Sequence, residues 1–118
     1  SEVEMKERFD RYDDAVKAVQ CALEEGIVEG GGIALRKIAN RLRLAYIVDS
    51  VEDKIQESLS APYETIINNG SIINITNMFE QNIIDPLKVT RCALENAVSV
   101  AKTILTTNTV ILNERQWT

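Results

Sequence analysis

Apolar residues in the first segment fall at Met5, Phe9, Tyr12, Val16, Val19 and Leu23, in steps of 4, 3, 4, 3 and 4. That spacing keeps them on one face of a helix. It predicts a continuous helix from Ser1 to Glu25, with Ala15 and Ala22 widening the stripe and Gly26 suited to its C-terminal cap. Such a helix spans roughly 35 Å. Its other faces are crowded with charge, from Glu2, Glu4 and Lys6 to Asp13 and Asp14, so much of the rod is expected in solvent.

The rest of the chain reads as further helices. One runs from the glycine run to about Leu44, with Ile33, Leu35, Ile38, Ala39 and Leu42 apolar. A third begins near Ser50, where Ser50-Val51-Glu52-Asp53 resembles a capping box, and ends near Ser60. Pro62 suits the opening of a short fourth helix through Ile67, and Asn68-Asn69-Gly70 is a turn signal. Between Ser71 and Ile84 the β-branched Ile72, Ile73 and Ile75 compete with a helical turn at Met78-Phe79. Asp85-Pro86 predicts a helix start, with Asp85 as N-cap and Pro86 first in a helix to about Thr106. The charges of that helix, Lys88, Arg91, Glu95 and Lys102, form one stripe, and most of the remainder is apolar or small. It is expected to be covered on most sides. Thr109 to Leu112 reads as a short strand with no mate in the sequence.

A chain of 118 residues is one domain at most. Its 13 basic and 18 acidic residues give a net charge of −5, which argues against nucleic acid as a partner. No apolar run approaches the roughly 20 residues of a membrane span, so no membrane partner is expected. The absence of histidine removes His-based triads and the commonest zinc ligand. Cys21 and Cys92 form no CxxC pair; they read as small buried residues of a reducing compartment, with a disulfide between them left open. Ser1 in place of Met fits a processed product or an excised piece.

Three features carry candidate chemistry. Gly30-Gly31-Gly32 precedes a helix, where close backbone approach and free amides favour an anion such as phosphate; the alternative is a flexible cap between two helices. Asp13 and Asp14 sit about 100° apart on a helix and do not form a dyad. One of them acting singly suits a general base or a ligand of metal-bound water, against solvated surface charge. Asp85 suits an N-cap, a ribose acceptor, or both, because each carboxylate oxygen has two lone pairs.

Taken together, these stretches resemble the group I chaperonin (GroEL) family, more the bacterial branch than the organellar one. The resemblance is carried by Glu2 to Glu7, by Tyr12-Asp13-Asp14-Ala15, by Glu24 through Gly30-Gly31-Gly32 to Leu35, and by Ile83 to Ala97. Ser60-Ala61-Pro62, Gly70 to Ile73 and Leu105-Thr106-Thr107 follow in order. It implies a mostly α fold: residues 1–26 as the long intermediate-domain helix, and residues 27–118 as the C-terminal half of an equatorial ATPase domain, a helical bundle with a short C-terminal strand. It implies Asp14 as the carboxylate that swings over the nucleotide and positions the attacking water. Gly30, Gly31 and Gly32 would line the pocket, with Gly31 the best single match, and Asp85 would hold the ribose. ATP with Mg and K is the implied cofactor set, and the implied setting is cytoplasmic. Other chaperonin subunits are the implied partners, the C-terminal strand pairing with a neighbour; client proteins would bind only through an apical domain that these residues do not match.

The departures shape the functional expectation. The family's phosphate-binding loop and metal-binding aspartate belong to a region with no counterpart among these residues. The loop that contacts the adenine side is not found near Ile73 to Asn77, and Glu29 stands where the family has a small residue or proline. The expectation is a fragment or truncated relative of an ATP-dependent chaperonin that does not hydrolyse ATP alone. The alternative is a non-catalytic helical module for oligomerisation or interaction.

Overall fold

A computed structural model describes residues 1–45, 50–70 and 77–112. The chain is mostly α, with four helices and one small antiparallel sheet: α1 (Glu2–Glu25), β1 (Ile27–Glu29), α2 (Ile33–Ala45), α3 (Ser50–Asn68), β2 (Ile84–Pro86) and α4 (Leu87–Leu105). The predicted first helix is present as one rod. Ser1 caps it, its hydroxyl accepting from the Glu4 amide at 3.3 Å. Gly26 ends it at φ 87°, ψ −165°, a conformation open in practice only to glycine.

The two strands pair Ile27 with Pro86, Val28 with Asp85 and Glu29 with Ile84. Hydrogen bonds extend this ribbon at both ends, from the Gly30 amide to the Ile83 carbonyl and from the Leu87 amide to the Gly26 carbonyl, each at 3.0 Å. The second of these corrects the expected start of α4. Asp85 and Pro86 lie in β2, Pro86 is the extended N-cap residue (φ −64°, ψ 128°), and no side chain caps the helix. A residue before proline is driven out of the α region, which suits Asp85 to a strand. The first helical amide then finds its acceptor across the ribbon, at Gly26.

Two further expectations change. Pro62 does not open a separate helix; it lies inside α3. A mid-helix proline forfeits the bond to the carbonyl four residues back. Here α3 still packs extensively on α2; Leu59, Tyr63, Ile66 and Ile67 are partly buried, whereas Val51, Ile55 and Pro62 are exposed and line the groove facing α4. Residues 109–112 form no strand and run as an exposed, irregular segment. The Ser50 side chain and residues 71–76, including Ile72, Ile73 and Ile75, lie outside the described residues. Residues 77–82 form a tight turn around Met78, which is buried and whose carbonyl accepts from Gln81 and Ile83. Asn82 takes a left-handed φ of 56° there.

The apolar faces find little cover. Among the described residues only Ala39 and Met78 are buried hydrophobics. The α1 stripe remains open, with Phe9 69%, Tyr12 74% and Leu23 84% exposed. α4 has no buried residue, contrary to the expectation that it is covered on most sides. An apolar groove of about 540 Å³ separates α4 from the α2–α3 hairpin, lined by Leu35, Ile55, Leu59, Leu94, Ala97 and Val98. The accessible surface is 10307 Å². A compact monomer of this mass exposes roughly 6,400 Å².

Candidate functional site

The ribbon brings the glycine turn and Asp85 together. Gly30 continues directly from β1, and Asp85 sits in β2 opposite Val28. The Asp85 carboxylate is half-buried and makes no hydrogen bond to a described residue. A small hollow of about 160 Å³ between the foot of α1 and the ribbon is lined by Ala18, Val19, Ala22, Ile27, Ile84, Asp85 and Pro86. The foot of α1, the ribbon and the turn therefore form one unit.

The three glycines do different work. A side chain at Gly30 would meet Ile83 at 3.1 Å, and one at Gly32 would lie 2.6 Å from the Tyr63 amide nitrogen. Both are small because protein occupies the space beside them. Gly32 also has φ 78°, as the turn into α2 requires. Gly31, at φ 65° and half-exposed, is the member at the tip of the turn. Beyond it, Ile33 bonds back to Gly30 at 3.3 Å and Arg36 to Gly32 at 3.1 Å. The amides of Gly31, Gly32, Ala34 and Leu35 have no backbone partner among the described residues. A helix N-terminus with free amides suits an anion. The donor set therefore fits a phosphate at Gly31 and the first turn of α2, and a hydroxyl at Asp85.

The nearby charges are already engaged. Glu29, whose side chain is only 10% exposed, is paired with Lys37. Arg36 lies over the Tyr63 ring at 4.0 Å from its centroid, a cation–π contact that ties α2 to α3. The sequence placed Glu29 close to the expected phosphate region; Lys37 neutralises that charge.

Asp14 is not brought to this site. It lies 12 residues before Gly26 on an unbroken helix, about 18 Å along the axis, and is exposed. On the helical wheel it falls within about 40° of Ala18, Cys21 and Glu25, the side of α1 turned toward α4. Asp13 points elsewhere and pairs with Lys17. Its hydrogen bond and charge, in that order, raise the lysine pKa above its ordinary value.

Sequence reasoning missed an ionic lock between α1 and α4. The Arg91 guanidinium grips both carboxylate oxygens of Glu25, at 3.0 and 2.6 Å, and reaches Glu95 at 2.9 Å. Lys88 pairs with Glu24. The Arg91 hydrogen bonds hold Glu25 below the usual glutamate range, with its charge adding to the effect. The Glu24 hydrogen bond and charge raise Lys88, with smaller contributions from Cys21 and Glu25. The only signal in sequence was the charged stripe of α4, which does not name its partner.

Among the described residues no three His, Cys, Asp or Glu side chains gather as metal ligands, and no helix is long and apolar enough to cross a membrane. No model of a known protein family matches the chain.

Proposed function

We propose that the chain is a segment or shortened relative of a cytoplasmic group I chaperonin subunit, supplying part of a nucleotide site and surfaces for subunit contact. The supporting observation is the convergence at the ribbon. Two segments far apart in sequence, the glycine turn and the Asp85 strand, carry the resemblance and meet at the foot of the helix that carries its third part. In this reading Gly31 and the first amides of α2 bind a phosphate oxygen, and Asp85 accepts a hydrogen bond from a ribose hydroxyl. Bound ATP with Mg and K would supply the phosphoryl group. Asp14 orients the water, which requires α1 to tilt toward the turn. The chain alone does not hydrolyse ATP, because phosphoryl transfer needs a placed metal and phosphate cradle, and the resemblance assigns both to a region outside these residues.

Calorimetric titration of the chain with Mg-ATP tests the reading. The expected result is weak binding, weakened further by Asp85→Asn, without steady-state turnover. No binding at millimolar nucleotide refutes the nucleotide site. Turnover that Asp14→Ala abolishes refutes the claim of inactivity.

A second reading, a non-catalytic oligomerisation module, is favoured by the surface. The Met5–Leu23 stripe faces away from α4, and the chain exposes about 3,900 Å² beyond a compact monomer. A standard interface takes only about 800 Å² per partner. Light scattering with and without Mg-ATP separates the readings. A module associates regardless of nucleotide, and a persistent monomer rules it out.

A further inference from the structure

We propose that Cys21 and Cys92 form a reversible disulfide that staples α1 to α4. The inference is independent of the chaperonin reading and rests on register. α1 enters the ribbon and α4 leaves it, so the two helices extend in opposite chain senses from a common base, where the Leu87 amide bonds to the Gly26 carbonyl. Cys21 lies five residues before Gly26, and Cys92 lies five residues after Leu87. Both are therefore about 7.5 Å from the base along their axes.

Their faces match as well as their heights. Glu24 and Glu25 bond to Lys88 and Arg91, which fixes the facing sides. Cys21 stands three and four residues before that glutamate pair, on the same side of α1. Cys92 stands four residues after Lys88, on the same side of α4. Both cysteines are half-buried, whereas Gln20, Leu23, Arg91 and Ala93 around them are exposed. At the usual spacing of packed helices, about 8–10 Å, with Cα atoms near 2.3 Å from each axis, directly opposed Cα atoms lie roughly 3.4–5.4 Å apart. Disulfides span Cα separations of about 4.4–6.8 Å. Both thiols are free in this structure.

The oxidant is a low-molecular-weight disulfide. One cysteine thiolate attacks it, its S–S bond breaks, and one small thiol leaves. The second cysteine thiolate attacks the mixed disulfide at the protein sulfur and expels the second small thiol. Two protein thiols are oxidised to one disulfide, one small disulfide is reduced to two thiols, and the two protons pass to the departing thiolates. The product fixes the angle at which α1 leaves the ribbon, which the ionic lock alone holds in the reduced chain.

The test treats the full chain with oxidised glutathione in native buffer and in urea, followed by thiol titration, intact mass and peptide mapping. The expected product has no free thiol, has lost two hydrogens, carries a Cys21–Cys92 cross-link and is unchanged in helix content. It forms at least about tenfold faster in native buffer than in urea, where the long loop must close by chance. Cys21→Ser and Cys92→Ser each accept one glutathione and form no loop. Glutathione on both cysteines of the parent chain, covalent dimers, lost helicity on closure, or equal rates in buffer and urea would each overturn the proposal.

Discussion

The roles of the three glycines separate in one comparison, Gly32→Ala against Gly70→Ala. Both positions have left-handed backbone, at φ 78° and 70°, so both substitutions carry the same conformational penalty of about 1–2 kcal/mol. Their surroundings differ. Around Gly70 a new methyl meets nothing within 4 Å, whereas at Gly32 it would lie 2.6 Å from the Tyr63 nitrogen and 2.9 Å from its Cα. Those atoms are helix backbone and do not yield as a flexible side chain does. Forcing α2 and α3 apart adds an overpacking cost of about 1–3 kcal/mol. Gly32→Ala is therefore expected to cost about 2–5 kcal/mol, well above Gly70→Ala. Urea unfolding followed by far-ultraviolet circular dichroism reads the difference. With a slope near 1.5 kcal/mol/M, the two midpoints separate by roughly 0.7–2 M. Coincident midpoints would refute the claim that Gly32 is small to admit Tyr63. Unchanged stability with lost nucleotide binding would return Gly32 to the ligand side of the turn.

Arg91→Ala releases Glu25. A carboxylate whose folded pKa lies below its usual 4.5 stabilises above that value and loses the contribution as pH falls through the lowered one. The thermal midpoints of the parent and Arg91→Ala should therefore differ near neutral pH and converge in acid; a gap that persists in acid would show that the arginine acts through packing. Asp85→Ala tests the start of α4. A true N-cap aspartate is worth typically about 1 kcal/mol, but the Gly26 carbonyl already serves Leu87, so the loss should stay under roughly 0.5 kcal/mol in urea unfolding. A full-sized loss would restore Asp85 as the cap. Arg36→Gln removes the contact with Tyr63 and should lower stability by about 0.5–1 kcal/mol, with no change if Tyr63→Leu is already present.

What the sequence made legible follows the range of each interaction. α1 was readable to within a residue because the steps from Met5 to Leu23 and the Gly26 stop are local. The ribbon was not. Ile27-Val28-Glu29 and Ile84-Asp85-Pro86 are too short for a period to appear, and each becomes a strand only by meeting the other. Pro62 misled for the converse reason: a local breaking signal was outweighed by the face that α3 shares with α2. The residues of the candidate site were all in view, yet their grouping depended on the unseen pairing. It joined Asp85 to the glycine turn and left Asp14 about 18 Å up the helix.

The same limit explains the open surfaces. Periodicity names the apolar face of α1 but cannot say what lies against it. α1 meets α4 through Glu24, Glu25 and the cysteine side, the face opposite the Met5–Leu23 stripe. Its apolar stripe is therefore not the seam that holds the fold together. Charge and the ribbon hold α1 in place while its hydrophobic side faces outward. A helix anchored at its foot by ion pairs, with its apolar stripe uncovered, can exchange partners along that stripe without dissolving the unit at its base. This separation is what the tilt of α1 proposed above would use: the glycine turn and Asp85 would keep their register while Asp14 moved. It is also why the staple at Cys21 and Cys92, two layers from the ribbon on the ionic side, would restrain that motion without touching the apolar stripe.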